Sequence, residues 1–350
     1  MQTDFISPSD SRWSEALGAL DHDIYDLPEY VALCGRYEMA TPMAFYANEG
    51  AQYALIPLLQ RPLPSSLGAP LSWVDVASPY GYSSALFTDN PEWSFRAVNA
   101  FVEACAERLV ISVFVRLHPL LAPFAAVGCA GTLVRHGETV QVDLTLPEAV
   151  LFNQQRSGHK YDIRRLNSQG FKVVANQWSL YDSFIKIYGE TMRQLDADPY
   201  YFFSTDYFQG LRQALGSRLH LFSVLAPDGS VAAAGLFTEA GGIVEYHLSG
   251  MAHEYRQLAP TKLMLDFAIK WAKAAGNRVL HLGGGVGSRN DALFRFKTGF
   301  SDLRSSFHTW RVICDYKRYA KLTEDAGIFN VSADGFFPAY ASSTELVATK

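Results

Sequence analysis

The spacing of apolar and polar residues changes several times along the chain, and each change marks a structural element. Residues 91–109 place apolar side chains at i, i+3, i+4 and i+7, which predicts an amphipathic helix. Residues 42–60 form two apolar runs around a turn at 48–50, which predicts a hairpin. Two helical stretches within residues 11–37 precede this hairpin. Further strands are predicted at 72–77, 111–117 and 132–144.

The second half of the chain repeats this order of elements. We predict a strand at 171–175, helices at 179–195 and 205–215, a three-strand meander from 219 to 249, a helix at 261–275, a strand at 279–282, a short helix at 290–298 and a strand at 307–313. No repeat of individual residues accompanies the repeated order. We therefore predict an α/β (α+β) fold made of two copies of one unit. Each copy is expected to be a mixed, mostly antiparallel sheet flanked by helices.

These elements divide the chain into three predicted parts. The first domain is placed at residues 1–150 and the second at residues 151–320. Residues 321–350 are assigned to a C-terminal tail, of which residues 325–350 are small and polar and are expected to pack loosely.

Composition indicates the compartment. The four cysteines are scattered and include no C-x-x-C pair, which favours a reducing compartment over a disulfide framework or a zinc site. The N-terminus lacks the basic and apolar regions of a signal peptide. The most apolar run, 109–134, is interrupted by Arg116, His118 and two prolines. We expect a soluble cytoplasmic protein without a membrane span.

Charge is distributed unevenly along the chain. Residues 1–150 contain seven arginines, no lysine and 17 acids, and 7 − 17 gives −10. Residues 151–320 contain 21 basic and 14 acidic residues, which gives +7, and residues 321–350 give 2 − 4 = −2. A basic second half favours an anionic ligand, such as a donor that carries phosphate. Attraction between the two oppositely charged halves explains the asymmetry equally well.

Several motifs occur in order along these elements. They are D-I-Y-D-L-P-E-Y-V at 23–31, S-P-Y-G-Y at 78–82, H-K-Y-D-I-R-R at 159–165, Y-H-L-S-G…Y-R-Q-L-A-P-T-K-L-M-L at 246–265 and L-F-R-F-K-T-G-F at 293–300. Together with the element order, they resemble the GNAT acyltransferase superfamily. Within it they resemble the FemAB-like branch, the peptidoglycan interpeptide-bridge transferases and their BioF2-like acyltransferase relatives. The resemblance covers most of residues 20–315 and implies tandem GNAT domains, the first on the acceptor side and the second on the donor side.

The resemblance implies a donor site before the helix at 261–275. GNAT enzymes hold the pyrophosphate of coenzyme A there, on a loop of the form R/Q-x-x-G-x-G/A and on the helix dipole. The corresponding cofactor-binding residues are Arg256, Gln257, Leu258, Ala259, Thr261 and Lys262. Ala259 replaces the first glycine, and Pro260 removes one N–H donor. Acyl-CoA is the expected donor. Because of these two departures, aminoacyl-tRNA is the alternative donor. An ordinary capped helix without a donor is the structural alternative.

The glycine loop at 283–287 does not match a nucleotide-binding pattern. It lacks the G-x-G-x-x-G spacing with a later acidic residue, and no G-K-[ST] follows. We interpret it as a close backbone approach beside the site.

The implied catalytic residues lie on the last meander strand and the short helix. Phe296 and Lys297 match the Phe-Lys pair that lines the reaction centre in FemAB-like enzymes. By resemblance, the lysine stabilises the oxyanion formed when an amine attacks a thioester or ester. A solvated surface lysine is the alternative. Tyr246 matches a family tyrosine that contacts the acceptor, and Glu245 or His247 is the candidate base for the acceptor ammonium.

No metal site is expected. His247, His281 and His308 lie on predicted strands but lack the local spacing of zinc ligands.

Further acceptor contacts are implied by the resemblance or suggested by side-chain chemistry. The substrate-binding candidates are Tyr80, Tyr82, Arg156, Arg193, Tyr200 and Tyr246. A turn with packed tyrosines is the alternative for the first two. The first half has no lysine, and the chain lacks the long charged helical hairpin of some bridge-forming enzymes. Both departures disfavour a lipid-linked or UDP-linked muropeptide and favour another amine, such as an amino sugar of a surface polysaccharide.

The sequence thus predicts an N-acyltransferase. It would move an acyl group from a thioester, acyl-CoA, to an amine acceptor such as an amino sugar or cell-envelope precursor. Direct attack is expected, because no Ser or Cys nucleophile with a partner is evident. Two alternatives stay open: aminoacyl transfer from tRNA to a cell-wall peptide, and a non-catalytic binding module with the same fold.

Overall fold

A computed structural model describes residues 1–332 and 335–342. They form two compact units, of which unit 1 comprises residues 1–136 and 306–350 and unit 2 comprises residues 137–305. The elements up to residue 143 are β1 (Gln2–Ile6), α1 (Ser11–Ala19), α2 (Pro28–Tyr37), β2 (Thr41–Glu49), β3 (Gln52–Pro62), β4 (Val74–Ala77), β5 (Leu86–Phe87), α3 (Pro91–Glu107), β6 (Val110–Leu117), α4 (Phe124–Val127) and β7 (Thr132–Asp143). The remaining elements are α5 (Glu148–Gln154), α6 (Ser157–Ser168), β8 (Lys172–Ala175), α7 (Tyr181–Gln194), α8 (Thr205–Leu215), β9 (Leu219–Leu225), β10 (Val231–Ala240), β11 (Ile243–Met251), α9 (Thr261–Ala274), β12 (Val279–Gly283), α10 (Ala292–Lys297), β13 (Leu303–Ile313) and α11 (Tyr316–Asp325).

The sheet of unit 1 follows the order β1-β2-β3-β4-β6-β13. Its neighbouring strands are antiparallel except β4 and β6, which run parallel and are joined through α3. Helix α3 begins where the sequence predicts, because the Asn90 side chain accepts a hydrogen bond from the Trp93 N–H group (3.1 Å) and Pro91 occupies the first turn. Its apolar stripe, which includes Trp93 and Phe101, is buried in the core of this unit.

The sheet of unit 2 follows the order β8-β9-β10-β11-β12-β7. Here β11 and β12 form the parallel pair, joined through α9, and the other neighbours are antiparallel. The predicted turn between β10 and β11 is formed by Gly241 and Gly242, both with positive φ, as a two-residue hairpin requires. The core contains Phe222, Phe237 and the buried face of α9.

The two units share one order of elements. Unit 1 reads β1-α1-α2-β2-β3-β4-α3-β6-α4, and unit 2 reads β8-α7-α8-β9-β10-β11-α9-β12-α10. Only β5 interrupts the first series. Two mixed, mostly antiparallel sheets flanked by helices confirm the predicted fold class.

The unit boundaries differ from the predicted domain limits of 1–150 and 151–320 because of the last strand in each sheet. β7 follows β6 in the chain, yet its residues 140–143 pair with β12 in unit 2. β13 follows β12, yet its residues 308–313 pair with β6 in unit 1. A periodicity identifies a strand without identifying its partner, so the sequence could not reveal this exchange.

The expectation of loose packing after residue 325 was wrong for residues 339–341. Helix α11 runs from Tyr316 to Asp325, and residues 339–341 are buried. The Tyr340 hydroxyl donates a hydrogen bond to an Asp75 carboxylate oxygen (2.5 Å), which attaches this segment to β4. Residues 333–334 and 343–350 of the predicted tail lie outside the described residues.

Six of the numbered elements were not predicted, namely β1, β5, α4, α5, α6 and α11. Helix α6 illustrates the cause, because its buried positions are only His159, Ile163 and Leu166 in an otherwise polar segment. Such a narrow apolar stripe gives a weak helical pattern. Across residues 1–332 and 335–342, every helix is too short or too polar to cross a bilayer.

Candidate active site

The candidate site lies where the two parallel strands of unit 2 stop pairing. β11 and β12 pair over Ile243–Glu245 and Val279–His281, and both strands then continue, to Met251 and to Gly283. The β10–β11 register also shifts, so that Tyr246 and Leu248 face consecutive residues of β10 and His247 is the extra residue of a β-bulge. The end of the parallel pairing and the bulge occur within two residues of each other.

Lys297 extends into this region from α10. Its Nζ atom donates a hydrogen bond to the carbonyl oxygen of Gly284 (2.7 Å), just past the end of β12. The same Nζ atom lies 5.8 Å from the ring centroid of Tyr246, the first β11 residue past the parallel pairing. The lysine therefore contacts both strands where their pairing has ended. The alternative of a solvated surface lysine does not describe this residue, which is only 7% exposed.

The environment of Lys297 changes its acidity. Burial lowers the pKa of its ammonium group to about 8, and the negative charges of Glu245 and Asp291 oppose that effect. At pH 7 the side chain is therefore still mostly protonated, but it loses its proton at a lower pH than a surface lysine does. A buried ammonium with an accessible pKa is typical of functional sites.

Asp291 fixes the start of α10. Its carboxylate accepts hydrogen bonds from the N–H groups of Phe294 (2.8 Å) and Val286 (3.0 Å), which ties the preceding loop to the helix. The loop itself needs a residue without a side chain at Gly285, where a Cβ atom would lie 2.1 Å from the carbonyl oxygen of Arg289. The glycine loop therefore serves as a close backbone approach, in line with its interpretation from the sequence.

Glu245 and His281 form a buried pair at the last position of the parallel pairing. The His281 Nδ1 atom lies 2.8 Å and 2.9 Å from the two carboxylate oxygens of Glu245. Glu245 is 1% exposed and His281 is fully buried. The sequence suggested Glu245 as a candidate base. It suggested His281 only as a member of a metal site that was not expected. Their pairing depends on the strand register, which the sequence does not contain.

The neighbours of Glu245 on β11 differ in their chemistry. The Tyr246 ring stacks on Phe237 with centroids 5.3 Å apart, and its hydroxyl shares a hydrogen bond with Ser249. Burial raises the pKa of Tyr246 to about 12, so its hydroxyl stays protonated at neutral pH. Burial lowers the pKa of His247 to about 4, which makes this imidazole a weak base at neutral pH.

The predicted donor-binding segment has a defined shape. His253–Leu258 is a 3-10 helix, whose N–H groups bond to carbonyls three residues earlier. Ala259 follows with a φ of 52°, a left-handed conformation that glycine adopts more easily, and α9 begins after Pro260. The N–H groups of Lys262 and Leu263 bond to the carbonyls of Ala259 and Pro260. These bonds leave fewer donors for a pyrophosphate than an open glycine loop would offer.

The charged side chains of this segment differ in their exposure and in their partners. Arg256 is exposed, as is Gln257, whereas the Lys262 ammonium donates a hydrogen bond to the Asp162 carboxylate of α6 (2.6 Å). The same carboxylate group forms an ion pair with Arg165 (2.9 Å). Arg256 thus offers the more accessible charge for an anionic donor.

Residues at the start of α6 hold the end of α10 and were not predicted in that role. The Arg156 N–H group donates to the carbonyl oxygen of Gly299 (2.7 Å), and its guanidinium donates to Thr298 Oγ1 (3.2 Å). The His159 ring packs against Phe296 (5.6 Å) and Phe300 (4.6 Å). Burial, assisted by nearby positive charge, lowers the pKa of His159 to about 4, so this ring is a neutral packing group. Phe296 is thereby part of the support beneath Lys297.

The remaining acceptor candidates occupy different surroundings. In unit 1, the Tyr80 carbonyl accepts a hydrogen bond from Tyr30, and the Tyr82 ring packs edge-on against Phe307 (5.4 Å). In unit 2, Arg193 is exposed in the last turn of α7, and the Tyr200 ring lies 5.7 Å from that of Tyr201. The roles of these four residues in acceptor binding stay predictions.

Comparisons with known proteins agree with this description. Residues 153–298 match the family model of an acetyltransferase (GNAT) domain. The solved structure of FemX is 13% identical, covers 88% of this chain and 97% of its own, and has a TM-score of 0.65. The structure of L-PGS from Bacillus licheniformis is 13% identical, with coverages of 93% and 99% and a TM-score of 0.58. No curated protein sequence matches this chain.

A third solved structure has the same fold. It is the C-terminal domain of a putative lysylphosphatidylglycerol synthetase from Agrobacterium fabrum, 14% identical, with coverages of 91% and 95% and a TM-score of 0.53. At identities this low, the structural likeness of these three proteins to the chain shows a shared fold alone. The GNAT match contains β11, α9, β12 and Lys297, so the surroundings of Lys297 on these elements lie inside it. The resemblance drawn from the sequence motifs is confirmed at this level.

Proposed function

We propose that this chain, whose residues 153–298 match the family model of a GNAT acetyltransferase domain, is an N-acyltransferase that uses a thioester donor, acyl-CoA. The acceptor is an amine, such as an amino sugar or a cell-envelope precursor. The observation that carries the proposal is the position of Lys297, whose buried ammonium contacts both β11 and β12 where their pairing has ended.

Lys297 has the chemistry that acyl transfer requires. When the amine nitrogen attacks the carbonyl carbon of the thioester, the carbonyl oxygen becomes negatively charged. A preorganised ammonium in a site of low dielectric stabilises that charge more in the transition state than in the ground state. The hydrogen bond to Gly284 and the capped start of α10 hold the ammonium in place before the substrate arrives.

The other steps follow from the same reaction. Collapse of the tetrahedral intermediate breaks the carbon–sulfur bond, and the thiolate of coenzyme A leaves and takes up a proton. The acceptor enters as an ammonium and must lose one proton before it attacks. Glu245 and His247 are the neighbouring candidate bases on β11, and its pKa of about 4 makes His247 a weak base at neutral pH.

The donor is assigned to the segment before α9. The positive end of the α9 dipole and the exposed Arg256 favour the pyrophosphate of coenzyme A. Because Pro260 and the 3-10 helix remove backbone donors, we expect the affinity to depend more on side-chain charge than in a glycine-rich loop.

Calorimetry with the full chain tests the donor. We expect coenzyme A to bind, Arg256→Gln to weaken binding by about 3- to 10-fold, and Arg218→Gln to leave it unchanged. Arg218 is also exposed and in unit 2, so it is a matched control. Amines incubated with acetyl-CoA and longer acyl-CoAs should then release free coenzyme A. No binding of coenzyme A by the wild type would remove the acyl-CoA proposal.

Aminoacyl transfer from tRNA is the second candidate. Exposed basic residues on and next to α6, including Arg156 and Arg164, offer contacts to a phosphate backbone, and the fold matches that of FemX. This candidate predicts binding of aminoacyl-tRNA that weakens steeply with salt, without binding of coenzyme A. A binding module without activity predicts that neither donor binds.

A further inference from the structure

A groove in unit 1 is not used by the proposed transfer. It has a volume of about 660 Å³ and is lined by residues 18–21, 86–89 and 120–123. These are the end of α1, the strand β5 with the residues after it, and the loop after β6. All three segments belong to unit 1, so the groove is complete within that unit.

The charge of this groove is negative. Asp21 and Asp89 are its charged lining residues, and both are exposed. Within residues 1–332 and 335–342, neither carboxylate forms a hydrogen bond or an ion pair. By contrast, Glu15 on α1 accepts a hydrogen bond from the Tyr53 hydroxyl (2.7 Å). The two groove carboxylates are therefore available to a positively charged ligand.

The end of α1 adds to this negative potential. The helix spans nine residues, ends at Ala19 beside the groove and has no basic residue in its last turn. The carbonyl groups of Gly18 and Ala19 cannot be bonded inside the helix, because no helical residue follows at the required spacing. A helix C-terminus carries a partial negative charge that favours cations. The carbonyl end and the carboxylates thus act in the same direction.

Apart from Thr88, the other lining side chains are apolar. Phe87 comes from β5, Leu120 and Leu121 come from the loop after β6, and these three side chains are half-buried. A hydrated metal ion gains nothing from such side chains, whereas an alkyl chain gains from covering them. Unit 1 as a whole has 12 basic and 19 acidic residues, and 12 − 19 gives −7, which attracts cations over a longer range.

We propose that this groove binds a primary ammonium group carried on an aliphatic chain. Asp21, Asp89 and the carbonyl end of α1 contact the ammonium, and the apolar side chains cover the alkyl chain. The site uses residues of unit 1 alone and needs no acyl donor. Its existence is therefore independent of the proposed transfer reaction.

Ligand-observed NMR with the full chain tests this site, with pentan-1-amine as the probe and pentan-1-ol as its neutral match. We expect the amine to bind about tenfold more tightly than the alcohol. Asp21→Asn and Asp89→Asn should each weaken amine binding by about 3- to 5-fold and leave alcohol binding unchanged. Glu103→Gln, an exposed acid on α3 outside the groove, should change neither.

Leu121→Ala provides the apolar arm of the test and should weaken the amine and the alcohol equally. Equal binding of the two probes to the wild type would overturn the proposal. So would amine binding that neither aspartate variant reduces, because the amine would then occupy another site. All measurements omit coenzyme A, so a failure of acyl transfer would leave these outcomes unaffected.

Discussion

The parallel strand pairs of the two units end differently. In unit 1, β4 and β6 pair from Val74 to Ala77, and Ser78 then continues the contact. Its N–H group donates to the Phe114 carbonyl (2.8 Å), and its hydroxyl accepts from the Arg116 N–H group (3.0 Å). In unit 2, the corresponding pairing stops after Glu245, and Lys297 contacts the two strands instead. Hydrogen bonds of Ser78 extend the contact between the strands of unit 1, which we call the closed pair. The strands of unit 2 stop pairing beside Lys297, and we call them the open pair.

Each pair also has a charged group beside it that is shielded from water, half-buried Asp75 in one and buried Lys297 in the other, with opposite consequences. Asp75 in unit 1 accepts hydrogen bonds from the Ser112 hydroxyl (2.8 Å) and the Tyr340 hydroxyl (2.5 Å). Lys297 in unit 2 has a carbonyl partner but also borders the gap between the strands. Satisfied buried groups stabilise a fold, whereas groups with altered pKa values beside an opening perform chemistry. The comparison is consistent with a structural role for the first pair and with the catalytic role proposed for the second.

Among the variants that test this comparison, Lys297→Met should have the largest effect. Loss of the oxyanion-stabilising charge should lower kcat by about 100- to 1000-fold, with little change in coenzyme A affinity. Since burial lowers the pKa of Lys297 to about 8, burying its ammonium destabilises the fold at pH 7, and removing it should raise the free energy of unfolding by about 1–3 kcal/mol.

Enzyme kinetics and chemical denaturation measure the two effects. Lys317→Met is the control, because Lys317 is exposed on α11 in unit 1 and should affect neither quantity. A Lys297→Met protein with normal kcat would show that the open pair has no catalytic lysine.

Tyr340→Phe should have an intermediate effect, and on stability alone. It removes one donor from the half-buried Asp75 carboxylate and should lower the free energy of unfolding by about 1–3 kcal/mol at pH 7. Burial already raises the pKa of Asp75 to about 6, and the Tyr340 hydrogen bond opposes that rise. The variant should therefore raise this pKa further and lose more stability at pH 7 than at pH 5, where the carboxyl is largely protonated.

Denaturation at the two pH values checks this expectation. Tyr316→Phe is the matched control, since Tyr316 is 72% exposed. Equal losses at both pH values would mean that the hydroxyl does not act through the Asp75 charge. A change in coenzyme A affinity would contradict the separation of the two roles.

The sequence predicted most of the elements because their apolar periods are strong. Helix α3 and the meander β9–β11 lie within a few residues of their predicted limits. The exchange of β7 and β13 between the units could not be predicted, because an alternating strand pattern does not specify its neighbour. The burial of Tyr340 was missed for a similar reason: its partner Asp75 lies 265 residues away.

Sequence motifs suggested some candidate site residues. Residues that the strand register brings next to them could not be predicted from the sequence. Phe296, Lys297 and Tyr246 followed from their motifs. The pairing of Glu245 with His281 required the parallel register of β11 and β12. The support from His159 required the close approach of α6 to Gly299, where a Cβ atom would lie 2.1 Å from the His159 ring.

With an alkoxyamine acceptor, which is already neutral and needs no base, Glu245→Gln should have the smallest effect, a shift in the pH profile of kcat. In the wild type, oxyanion stabilisation needs the Lys297 ammonium, so kcat should fall as pH rises through about 8. The Glu245 charge raises the pKa of Lys297, and its removal should lower that pKa and move the alkaline limb to lower pH. An alkoxyamine acceptor, which stays neutral over this range, keeps the acceptor's own titration out of the profile. If kcat instead rises through pH 8, Lys297 acts as a neutral base, and the open pair of unit 2 removes a proton rather than stabilising an oxyanion.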